Sequence, residues 1–132
     1  MTPLPAPDPG RWHEPSLSGS HPYSFDTEVR HEADRIVIAP VGELDIATCD
    51  ALERRIAPLL TGHHHVVVDL SGLLFIDVAG MRSLLRCVRL AARRSVRLSI
   101  ALGNDRVRRL FELCRMLDEF EFVYESLAAV PD

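Results

Sequence analysis

The chain has 132 residues, 47% of them hydrophobic and 26% charged. That is an ordinary globular balance, with enough length to bury one core without disulfide or metal staples. The formal net charge is −4 and every one of the 15 basic residues is arginine, so no basic excess is available to neutralise a nucleic-acid backbone. No apolar run approaches the roughly 20 residues that span a bilayer, and the first nine residues lack the basic and apolar regions of a signal peptide. The expectation is a cytoplasmic protein with no membrane insertion and no nucleic-acid partner.

Residues 1–23 hold six of the nine prolines together with Gly10, Ser16, Ser18, Gly19 and Ser20. Such a segment buries little apolar surface to offset its ordering entropy and is expected to be a disordered tail. Residues 24–132 form the predicted domain. Phe25–Arg30 alternates weakly and reads as an edge strand. Arg35–Val41 is more strongly β, with Pro40 near its end and Gly42 closing it, and the short polar turn between the two predicts an antiparallel hairpin. A first helix carries Leu52, Ile56, Leu59 and Leu60 on one side. Asp45 or Thr48 can cap its start, Pro58 should bend or shorten its last turn, and Gly62 ends it. His65–Leu70 is a continuous apolar run up to Asp69, as in a central strand covered on both faces.

The second helix, from about Val78 to Arg94, is the best defined. Met81, Leu84, Leu85, Val88, Ala91 and Ala92 recur at three- and four-residue intervals and form one apolar stripe. Asp77 stands at the N-cap position, where its carboxylate also suits the positive end of the helix. Arg82, Arg86, Arg89 and Arg93 fall on a separate narrow face. Val96–Leu102 follows as an alternating strand, and Asn104 caps a third helix whose inner side should hold Val107, Leu110, Phe111 and Cys114. Phe120, Phe122 and Tyr124 alternate in a last strand, and Ser126 can cap a short terminal helix. Strands alternating with helices predict an α/β layer fold.

No constellation in the chain carries enzyme chemistry: there is no phosphate-binding Gly-rich loop, no nucleophile elbow and no zinc-binding helix motif. Cys49, Cys87 and Cys114 are widely spaced amid apolar neighbours and read as small hydrophobes. Neighbouring side chains on an extended chain point to opposite faces, so His63, His64 and His65 should not converge on one ion. No metal or cofactor is expected. Asp45 and Asp77 each open a helix, and capping explains them without acid–base work.

Two segments together are specific. Gly42-Glu43-Leu44-Asp45 followed by Thr48 resembles the first motif of the STAS domain, the fold of bacterial anti-sigma factor antagonists. Val68-Asp69-Leu70-Ser71-Gly72 through Phe75-Ile76-Asp77 resembles the second. The element order ββαβαβαβα matches too, with a mixed, mostly parallel sheet, and the resemblance covers residues 25–130. It implies a non-enzymatic regulator that docks on an anti-sigma factor, often a serine kinase, through the first-motif loop and the start of the second helix. Carried over by position, the docking residues are Asp45, Thr48, Asp77, Val78, Ala79, Gly80, Met81 and Arg82. Phospho-switched members carry a serine or threonine just before the helix glycine. Here that place is Ala79, which has no oxygen to phosphorylate, while Ser71 and Ser83 lie outside it. The alternative is a STAS module for small-ligand or nucleotide binding, for aiding a transporter, or for scaffolding a sensory complex.

Overall fold

The computed structural model describes residues 25–124. The predicted tail and the helix capped by Ser126 lie outside them. The elements run β1 (Asp26–His31), β2 (Ile36–Leu44), α1 (Cys49–Ile56) with a 3-10 turn at Ala57–Leu60, then β3 (His65–Asp69) and β4 (Leu73–Ile76). They continue with α2 (Val78–Arg93), β5 (Arg97–Ala101), α3 (Asp105–Leu113), a 3-10 turn at Leu117–Glu119, and β6 (Glu121–Val123). The main sheet has the order β1-β2-β3-β5-β6, with β4 added to β2 alone. β1 and β2 are antiparallel as expected, and every other pairing is parallel. The α/β class and the mixed sheet follow the sequence reading; the additional strand is β4.

β4 escapes a periodicity argument because its two ends are buried and its middle residues, Leu74 and Phe75, face outward. It exists because β2 is long and changes partner along its length. Ile36–Ile38 pair with β3, whereas Gly42–Leu44 pair with β4. Between these halves stands Pro40, which has no amide hydrogen for a central ladder. Gly42 then takes φ 110°, where the register shifts against β4. Only glycine adopts that conformation without strain.

Ile36, Ile38, Val66, Val68, Leu98 and Ile100 form the floor of the main core, against Leu52 and Ile56 of α1, Met81 and Leu84 of α2, and Val107 and Phe111 of α3. The alternate strand residues Val37, Val67 and Ala101 make a second, smaller cluster. The strict alternation expected in β5 therefore gives way: Ser99 and Ala101 are buried along with Leu98 and Ile100. The α2 stripe also differs in detail. Met81, Leu84 and Ala91 are buried, Leu85 and Val88 are half-buried, and Ala92 is exposed.

The inner side expected for α3 is corrected at its end. Cys114 is exposed, because the helix stops at Leu113 and Arg115 turns the chain with φ 56°. Cys49 and Cys87 are buried as expected, and burial pushes the Cys87 thiol up to about 12.

One close approach fixes where α2 begins. The Asp77 amide donates to the Leu44 carbonyl at 3.2 Å, so the end of β2 and the start of α2 meet backbone to backbone. A Cβ added at Gly80 would lie 2.5 Å from that same carbonyl oxygen and 2.9 Å from side-chain carbons of Leu44 and Ile76. Alanine is the better helix former by about 1 kcal/mol, yet the obstacle here is backbone and cannot swing away. Gly80→Ala is therefore expected to destabilise the domain by about 1–3 kcal/mol, as overpacking does, read as a lowered urea midpoint.

Candidate functional site: the paired loops at the head of the second helix

The two sequence motifs meet at this joint. The first motif leaves β2 as a closed loop, with Asp45 Oδ1 accepting from the amides of Ala47 at 2.9 Å and Thr48 at 3.2 Å. The Thr48 hydroxyl accepts from the Asp45 amide at 3.0 Å and donates to the Glu43 carbonyl at 2.7 Å. Thr48 holds the N-cap place of α1 but makes no side-chain cap bond. The sequence leaves open which of the two residues caps; in the fold, Asp45 satisfies the turn before the helix and Thr48 ties that turn back to β2.

The second motif opens α2 as expected. Asp77 Oδ1 accepts from the Gly80 amide at 2.8 Å, the usual reach from an N-cap to the third helical residue. Two apolar side chains stand out into solvent here, Ile46 at 79% and Val78 at 51% exposure. Ala79 and Asp77 are half-buried, and Arg82 is exposed. Gly80 and Met81, by contrast, are buried. Six of the eight positions picked from the motifs thus reach the surface at least partly, and the other two support them from beneath. The tip carries no cation of its own until Arg82, and its two acids, Asp45 and Asp77, are both engaged by backbone amides. Its exposed apolar side chains thus stand beside carboxylates that the backbone already holds.

The two serines weighed beside Ala79 part company. Ser71 is exposed in the β3–β4 loop. Ser83 is fully buried, its hydroxyl donating to Glu53 Oε2 at 2.6 Å. The same carboxylate takes Arg86 at 2.6 Å. Burial pushes Glu53 up, but the bonds from Arg86 and Ser83 outweigh it and hold the acid below the usual carboxylate range. Glu53, Cys49 and Asp50 bring their ligand atoms within 4.8 Å of one another. That cluster is a poor metal site, since Glu53 is already bound twice and burial pushes the Cys49 thiol up.

Alternation alone would put His63 and His65 on one side of the chain, but the strand begins only at His65 and the two rings go separate ways. The His63 ring meets the Leu59 carbonyl at 3.0 Å, whereas His65 Nε2 meets the Ser99 hydroxyl at 2.8 Å. The His65–Ser99 pair joins residues 34 apart and could not be read from spacing. It resembles half of a nucleophile–base couple, but Ser99 is fully buried, so its hydroxyl is closed to a substrate. Burial, helped by the Arg97 guanidinium and opposed by Glu121, pushes His65 below its ordinary 6.5. The unfolded chain then binds that proton more readily than the native one, so stability falls as pH drops through the ordinary value towards the folded one. Urea midpoints are expected to decline from about pH 7 to about pH 5.5, and His65→Gln should flatten that slope.

Among curated proteins none matches the chain. Solved structures do. An anti-sigma factor antagonist from Mycobacterium paratuberculosis is similar with a TM-score of 0.70 at 24% identity, over 81% of this chain and 91% of that one. The Bacillus anti-sigma factor antagonist SpoIIAA, in its unphosphorylated form, is similar with a TM-score of 0.61 at 17% identity, over 76% of this chain and 90% of that one. Part of SLC26A9 also shares the fold, with a TM-score of 0.56 at 13% identity over 70% of this chain and 19% of that one. At these identities the likeness is one of fold. The family rests on sequence: the profile of the STAS domain matches residues 24–130, which include both motifs and the joint between them, and the chain belongs to the STAS-domain family.

Proposed function

We propose that the protein is a non-enzymatic antagonist of an anti-sigma factor, and that it docks through the tip formed by Asp45, Thr48, Asp77, Val78, Ala79 and Arg82. Gly80 and Met81 set the height and direction of that tip from below. The observation that carries this reading is the pair of solvent-facing apolar side chains, Ile46 and Val78, held at the junction of two loops whose carboxylates, Asp45 and Asp77, already accept from backbone amides. Exposed apolar side chains on a rigid, preorganised frame lose little entropy on binding.

The partner is an anti-sigma factor, of kinase type in the usual arrangement of such systems, and the complex is not undone by phosphate at residue 79. In phospho-switched relatives a phosphate adds about −1.5 to −2 charge at neutral pH to a surface that must be desolvated on docking. Ala79 excludes that chemistry, and the buried Ser83 offers no substitute. Control then lies in abundance, or in the partner.

Ala79→Asp is the decisive variant. An acid in the first turn of a helix favours the helix dipole, so the substitution leaves the fold intact while charging the tip. Affinity capture from the source cell with the wild-type chain is expected to recover an anti-sigma factor, and Ala79→Asp should reduce that recovery at least tenfold. Capture of an anti-sigma factor equally by both chains would move the interface off the tip. Recovery of a transporter or a sensory complex in its place would favour the alternative role of a STAS module.

A further inference from the structure

We propose that the outer face of α2 is a docking strip for an acidic, amphipathic protein segment running along the helix away from its tip. The proposal rests on the docking reading of that tip, which it extends. Arg82, Arg86, Arg89 and Arg93 are all exposed. At about 100° per residue they fall within an arc of roughly 60°, and at 1.5 Å per residue they span about 16 Å. Val78 heads the same face, so the strip begins with an apolar knob and continues as a row of cations.

The row is not neutralised within the fold. Arg86 is paired with Glu53, and that carboxylate also holds Ser83. Among the described residues, Arg82, Arg89 and Arg93 have neither a hydrogen bond nor an ion pair. Arg94, the next in sequence, turns aside to the Ala57 carbonyl at 3.1 Å. Like charges three and four residues apart oppose helix formation, so the helix carries this row against its own preference. The whole chain, these arginines included, has net charge −4, which leaves the row as a local positive feature on a negative molecule.

That combination selects a protein acid over a polyanion. A long nucleic acid or an anionic membrane meets the whole negative molecule, whereas a short acidic helix meets only the strip. An amphipathic helix can also set an apolar side chain against Val78 and Ile46 while its carboxylates face the arginines.

The test uses the full chain and two labelled 18-residue helical peptides in fluorescence anisotropy, of about five turns each. One carries leucine at its end and glutamate along one face; in the other, glutamine replaces every glutamate. At low salt the wild-type chain is expected to bind the glutamate peptide at least fivefold more tightly than its glutamine twin, a preference that fades as salt is raised. Arg82→Gln/Arg89→Gln/Arg93→Gln should abolish the preference. Arg109→Gln/Arg115→Gln, removing exposed cations in and after α3, should leave it in place. Equal preference in the triple variant, or equal loss in the α3 variant, overturns the proposal. So does binding to phosphatidylglycerol vesicles or duplex DNA without preference for the glutamate peptide. Ala79→Asp retains all four arginines, so peptide binding by that variant tests the strip separately from the tip.

Discussion

The contact between Gly80 and the Leu44 carbonyl is the constraint from which the joint of the two motifs is built. A helix normally stands off from a strand by the length of its side chains. Here the first turn of α2 comes down onto the backbone of β2, which requires a residue without a Cβ at that one point. The same carbonyl receives the Asp77 amide, so a single oxygen sets both the distance and the angle of the helix start. The loop after Leu44 and the helix after Asp77 are thereby held side by side, although more than thirty residues separate them.

What surrounds that contact is arranged to hold shape without depending on solvent. Asp45 and Thr48 bond each other's backbone, Asp77 bonds the Gly80 amide, and Asn104 reaches from the start of α3 to the Leu73 carbonyl at 2.9 Å. The carboxylates of Asp45 and Asp77 thus have internal partners, which leaves apolar side chains to face outward. The docking proposed for this surface relies on shape and desolvation rather than on a network that must rearrange. The long β2 strand makes this arrangement possible, because its first half belongs to the main sheet and its second half carries β4 and the tip.

Much of this could be read in the residues. Helical spacing marked α2, the caps Asp77 and Asn104 marked two helix starts, and the β-branched run Val66–Val68 marked the central strand. What could not be read depends on the third dimension. β4 has buried ends and exposed middle residues, so no period of two betrays it. Ser99 and Ala101 are small enough to pack into a second cluster that only the sheet assembles. Cys114 sits one residue past a helix end that a left-handed Arg115 decides. Gly80 could be quoted as part of a motif, but its need for emptiness is visible only once Leu44 lies against it. Ser83 looked like a neighbour of the switch position and proves to be interior, because α1 covers it.

The shared carboxylate of Glu53 has a consequence for how surface and interior communicate. It grips a hydroxyl sealed between two helices and, with the same oxygen, a guanidinium that is exposed to water. An external anion that competes for that guanidinium alters the electrical surroundings of the sealed hydroxyl without touching it. α1, which bears Glu53, follows directly from the Asp45 loop. Events along the flank of α2 thus have a short covalent route back to the head of the molecule.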